Sequence, residues 1–197
     1  MNKTVEFFFD VGSPTSYLAW TQLPAIAAQT GSAVVWRPML LGGVFKATGN
    51  ASPVTVPAKG RWMFDDIARW ARRYGVPLAF NPHFPINTLT LMRMAAGLLQ
   101  RQPADFERYG TAVFNALWQR QQNLGDPAVL ATVLRDAGFD PEALLALAAD
   151  PAVKAALVAT TEEAVARGVF GAPTFFVGEQ MFFGQDRLDF VREALAT

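Results

Sequence analysis

Residues 10–17 read DVGSPTSY. A short apolar run rich in β-formers, TVEFFFD (4–10), ends in this stretch, and Ser13-Pro14 opens a helix. Serine is a favoured N-cap because its hydroxyl accepts a bond from a first-turn amide that has no helical partner. Proline fits the first helical position because the N–H it lacks would be unpaired there anyway. Leu18, Ala19, Leu23 and Ile26 then share one face, Pro24 predicts a kink, and Gly31 ends the helix. AVVWRPML (33–40) follows as a second β-branched and aromatic run. The chain therefore opens β-α-β.

Outward from that unit the text changes. GGVFKATGNASPVTVPA (42–58) is rich in Gly, Pro and small polar residues and predicts a long loop. About a hundred helical residues come next. In 61–74, Met63, Ile67, Trp70, Ala71 and Tyr74 fall on one face, with Asp65 and Arg69 paired across a turn on the other. Amphipathic segments near 88–101, 104–123, 127–137, 141–149 and 151–167 are separated by Pro and Gly signals. From 168 the pattern reverts: GVFGAPTFFVG is a turn and strand, QMFFG a second strand, and DRLDFVREALA a closing helix capped by Asp186. The order β-α-β, helical block, β-β-α predicts an α/β fold. Its discontinuous domain comprises 1–45 and 168–197, and an all-helical domain, 46–167, is inserted into it.

Composition narrows the chemistry. Half of the 197 residues are apolar, which supports a sizeable core. Lys+Arg and Asp+Glu both number 17, so there is no net basic charge to favour nucleic acid or an anionic membrane. RWARRY (69–74) reads as a solvated helix face. There is no cysteine, which excludes disulfides, thiolate metal sites and a cysteine nucleophile. The single histidine, His83, lies in the Pro-flanked loop NPHFP and leaves no histidine cluster for a metal. The N-terminal residues lack the apolar core of a signal peptide, and no apolar run approaches the ~20 residues of a membrane span. The expectation is a soluble cytoplasmic protein.

With both serines exchanged for cysteine, Ser13-Pro14-Thr15-Ser16 would be the C-P-x-C motif of a thiol–disulfide oxidoreductase. That motif at a helix start, with GAPTFFVG before a terminal hairpin and helix, resembles the thioredoxin-like fold carrying a helical insertion. The chain more closely resembles the family of 2-hydroxychromene-2-carboxylate isomerases and kappa-class glutathione transferases. FFFDVGSPTSYLA, TGN followed by PAKG, FGAPTFFVG and FGQDRL carry the resemblance, from residue 5 to about 190.

The resemblance implies a glutathione-dependent enzyme acting on a small aromatic substrate, commonly as a homodimer. Ser13 is the implied catalytic residue, its hydroxyl bonding a thiolate that the ligand brings; Thr15 competes with it for the sulfur. Ala172-Pro173 is implied to be cis, leaving the Ala172 backbone N–H and C=O free to pair with the ligand, although an X-Pro bond is usually trans. Gln185 and Asp186, at the last helix, are implied to hold the γ-glutamyl end, and Asn50 and Lys59 to contact the ligand elsewhere, Lys59 at its glycyl carboxylate. Each also has a plain reading. Ser13 and Asp186 are ordinary N-caps, TGN a turn, Lys59 a solvated loop lysine, and Ala172-Pro173 a strand-entry turn. Asn87, Phe45, Trp62 and Phe84 are offered for the substrate side. Isomerase and conjugating transferase share every residue up to the thiolate.

Overall fold

The computed structural model describes residues 3–197; Met1 and Asn2, assigned above to the α/β segment, lie outside the described residues. The chain begins with β1 (Thr4–Phe9), α1 (Pro14–Gln29) and β2 (Ala33–Pro38). It continues through α2 (Leu41–Thr48), α3 (Pro57–Tyr74), α4 (Leu89–Arg101), α5 (Pro103–Trp118), α6 (Pro127–Asp136), α7 (Pro141–Ala149) and α8 (Pro151–Ala166). It closes with β3 (Thr174–Val177), β4 (Gln180–Phe183) and α9 (Leu188–Ala196). The four strands form one sheet in the order β2-β1-β3-β4. β1 runs parallel to β2 and antiparallel to β3. This is the α/β architecture and thioredoxin-like order that the sequence predicts.

Alternation along β1 divides the core in two. Phe7 and Phe9 face a large cluster shared with α1, α4 and α5; Phe8 faces a smaller one with Met39, Val44, Ala164, Val169 and Phe176. In the large cluster Trp20 of α1 lies 4.4 Å from Trp36, 5.3 Å from Phe114 and 5.6 Å from Phe9, centroid to centroid. The sheet and the helical block thus share one body of buried aromatic rings. On the opposite face, Arg167 bonds Glu6 at 2.8 Å and stacks 3.8 Å over the Phe176 ring. Arg37 pairs with Glu163, tying α8 to β2. The Glu6 carboxylate holds the Arg167 guanidinium above its ordinary pKa.

Arg69 pairs with Asp66, at 3.5 Å, in place of Asp65, and two larger local expectations change. The stretch 42–58 is not one loop, since α2 occupies Leu41–Thr48 and α3 begins at Pro57. Gly42 and Gly43 argue against a helix on propensity alone. Packing decides otherwise: a Cβ on Gly43 would meet Thr161 Cγ2 at 3.1 Å, and Val44 is buried under α8. Gly49 then ends α2 in the left-handed conformation at φ 71°. α2 also spans the 45/46 boundary. Second, Asp186 does not cap the last helix. It sits in a 3₁₀ turn, Gln185–Arg187, and its carboxylate bonds the Arg187 guanidinium at 2.9 Å, while α9 starts at Leu188.

Candidate active site

Ser13 is the N-cap of α1, with extended backbone angles and Pro14 at the first helical position. Its hydroxyl oxygen accepts from the Ser16 amide at 3.1 Å. This leaves the hydroxyl proton free to point elsewhere, and two acceptors lie within reach. One is the Ala172 carbonyl at 3.2 Å; the other is the Thr15 hydroxyl at 2.9 Å. Thr15 Oγ1 also donates to the Ala172 carbonyl, at 3.2 Å. Ser13 is buried at 5 % exposure, so it sits at the positive end of α1 where bulk water screens little.

Facing it is the cis Ala172-Pro173 bond, as the resemblance implies and against the usual X-Pro preference. The expectation for Ala172 holds at one end only. Its N–H has no partner among the described residues, but its C=O is covered by the hydroxyls of Ser13 and Thr15. Gly184 donates its N–H to the Pro173 carbonyl at 3.0 Å, which docks the Gln185–Arg187 turn beside the proline. The Tyr74 hydroxyl fixes that turn from α3 by donating to the Gln185 carbonyl at 2.8 Å. Burial, with Asp189 and Asp186 nearby, pushes the Tyr74 phenol up to about 12. The Asn50 side-chain amide donates to the Phe170 carbonyl at 2.8 Å, two residues from Ala172. Ser13, Asn50, Ala172, Pro173, Gln185 and Asp186 are therefore joined through one set of loops. Lys59 stands apart, exposed in the first turn of α3 with no bond to the others.

Beneath this loop lies Asp10, a residue that sequence reasoning passed over as a strand end. It is buried at 1 % exposure. Its carboxylate accepts from the Gly12 amide at 2.9 Å, the Leu41 amide at 2.8 Å and the Thr88 hydroxyl at 3.0 Å. Burial raises its pKa, and the three donors oppose that shift. One side chain thus pins the loop before α1 to the starts of α2 and α4. The only local signal was an acid set among apolar residues in FFFDVG. The indole N–H of Trp118 adds a fourth tie, to the Val11 carbonyl at 2.8 Å.

The aromatic residues offered for a substrate do not converge. Trp62 is 62 % exposed on α3, and Phe84 packs on Trp118 with centroids 5.8 Å apart. Asn87 is exposed and bonds the Leu89 amide, and His83 is exposed in its loop. An apolar groove of about 460 Å³ lies between α2, α4 and α8, walled by Leu40, Leu89, Leu157 and Val158, with Arg93 and Lys154 at its edge.

Residues 4–196 match the DsbA-like thioredoxin domain. The chain belongs to the DsbA-like thioredoxin family. Within it, the chain is 36 % identical to a 2-hydroxychromene-2-carboxylate isomerase of Sphingobium xenophagum, over 99 % of both chains. It is 29 % identical to the glutathione S-transferase kappa 1 of Homo sapiens, over 98 % of this chain and 91 % of that one. A solved 2-hydroxychromene-2-carboxylate isomerase superposes with a TM-score of 0.84 at 32 % identity, covering 98 % of this chain and 94 % of that one. These relatives are isomerases and transferases, so this branch of the DsbA-like family is one of enzymes. In this member a hydroxyl stands at each cysteine position of a C-P-x-C motif. No helix among the described residues is by itself long and apolar enough to cross a membrane.

Proposed function

We propose that the protein is a glutathione-dependent isomerase of the 2-hydroxychromene-2-carboxylate type, interconverting that acid and trans-o-hydroxybenzylidenepyruvate or a related aromatic catabolite. The observation that carries the reading is the Ser13 hydroxyl. It is buried at a helix N-terminus beside a cis-proline loop, in a chain without any cysteine. A disulfide carrier on this scaffold needs two sulfurs, and this site has only hydroxyls.

The residues present fit a cysteinyl thiol ligand. Ser13 supplies a hydrogen-bond donor and α1 a positive potential, and both favour the anion over the thiol. The unpartnered Ala172 N–H is suited to a backbone carbonyl of an extended ligand, in the manner of an added strand. In this reading Gln185 and Asp186 take its γ-glutamyl end, Asn50 contacts it elsewhere, and Lys59 takes the glycyl carboxylate from the exposed first turn of α3. Bound glutathione supplies a nucleophilic sulfur that adds to the substrate's conjugated double bond and is afterwards expelled, so bond rotation occurs and the thiol is regained. The protein's part is to keep that sulfur ionised near neutral pH and to shield it from water. A kappa-type transferase would use the same residues, and the transferase relatives favour that second reading. A retained adduct identifies it.

The test is the ultraviolet difference absorbance of glutathione thiolate on adding protein, from pH 5 to 9. Thiolate forming well below the free thiol value of roughly 8.5, and receding in Ser13→Ala, is the expected result. No thiolate in either protein, with no glutathione binding by calorimetry, overturns both readings.

A further inference from the structure

We infer that Thr15 is a positioning residue for the thiolate site, releasing the Ser13 proton by holding the Ala172 carbonyl in its place; this rests on the thiol-binding reading above. A backbone carbonyl has two lone pairs. At Ala172 both are engaged, one by Ser13 Oγ and one by Thr15 Oγ1, each at 3.2 Å. Ser13 has a single proton, and its oxygen is already an acceptor for the Ser16 amide. Donation to a sulfur therefore requires Ser13 to leave the carbonyl.

An extended ligand that pairs with Ala172 brings an N–H to that same carbonyl, and Ser13 and the ligand amide then exchange places there. Ser13 turns its proton to the sulfur, the ligand amide takes the vacated lone pair, and Thr15 keeps the other. The number of hydrogen bonds at the carbonyl is unchanged. Without the Thr15 hydroxyl one lone pair stays open, and Ser13 is drawn back to it and away from the sulfur. Thr15 suits the task because it is half-buried beside the cap, with its own hydroxyl 3.2 Å from the carbonyl. Ser16, on the same turn, does not share the role, since its hydroxyl bonds nothing.

The experiment compares wild type, Thr15→Val and Thr15→Ser by ultraviolet titration of bound glutathione, with calorimetric affinity for S-methylglutathione alongside. Valine keeps the shape and removes the hydroxyl; serine restores it. In Thr15→Val the bound thiol's pKa is expected to rise by about one unit, the scale of one lost hydrogen bond to a buried group. Thr15→Ser is expected to titrate as wild type, and Thr15→Val to bind S-methylglutathione at least as tightly as wild type, because the lone pair it leaves open receives the ligand amide without displacing Ser13. A Thr15→Val titration matching wild type overturns the inference and leaves the thiol-binding reading standing. So does a rise accompanied by weakened S-methylglutathione binding, which marks a packing defect. Absence of thiolate in wild type itself overturns both.

Discussion

Ser13 and Ser16 lie three residues apart on the first turn of α1, and their hydroxyls meet opposite conditions. Ser13 Oγ accepts from an amide and has two further oxygens within reach. Ser16 Oγ is fully buried and has no partner. A buried hydroxyl without a hydrogen bond costs about 1–3 kcal/mol relative to its solvated state. Ser16→Ala removes that cost and leaves the Ser16 amide bond to Ser13 in place. Its unfolding free energy is expected to equal or exceed wild type by up to about 2 kcal/mol in urea titrations, with thiolate formation intact. A loss of stability, or loss of thiolate, would show that Ser16 does chemical or structural service after all. The same contrast explains what was legible residue by residue. Capping is local, so Ser13 could be read from its own turn. Asp10 could not, because two of its partners lie 31 and 78 residues away and only the folded chain brings them together.

Helix α2 marks the corresponding limit for elements. Two glycines, a Gly-Asn turn and nearby prolines spoke for a loop, and burial of Val44 against α8 outweighed them. Long amphipathic helices were legible because their apolar stripes repeat over several turns; an eight-residue helix offers one stripe position. The 3₁₀ turn before α9 is a second case, since Asp186 has the composition of a cap but bonds the Arg187 side chain. Two glycines now carry opposite expectations. Gly42 in α2 has open space around the Cβ position, so Gly42→Ala is expected to stabilise by up to about 1 kcal/mol through helix propensity. Gly110 in α5 faces the Trp20 ring, and a Cβ there would lie 2.4 Å from its edge. That ring is held by Trp36 and Phe114 and by its N–H bond to Thr111 at 3.1 Å. Gly110→Ala is therefore expected to cost about 1–3 kcal/mol despite its better propensity. Thermal melts of the two variants moving in the same direction would refute this account of α1 against α5.

Across the whole molecule, all three tyrosines, Tyr17, Tyr74 and Tyr109, have phenols raised above the ordinary value of 10.0, with burial the first cause in each. Their folded pKa values exceed the unfolded ones, so their stabilising contribution is complete below pH 10 and is lost as pH rises through the folded values. Near-ultraviolet titration is expected to show little tyrosinate in native protein at pH 10, where the urea-unfolded chain is half ionised. Equal ionisation of the two would contradict the burial described. The nested order of elements was legible because β-rich runs flank the helical block on both sides; the sheet order was not, since strands too short to show their neighbours pair only in three dimensions. That order sets the timing of assembly. β1 pairs with β3, whose residues follow some 168 positions later, so Phe7 and Phe175 meet only after most of the chain exists. During synthesis the first strand can find β2 at once, but its other edge stays open. Contacts of such long sequence separation slow folding, and an unpaired apolar edge invites association with other chains. The ribosome must therefore deliver residue 177 before β1, whose end leads into the Ser13 cap, has a neighbour on both edges.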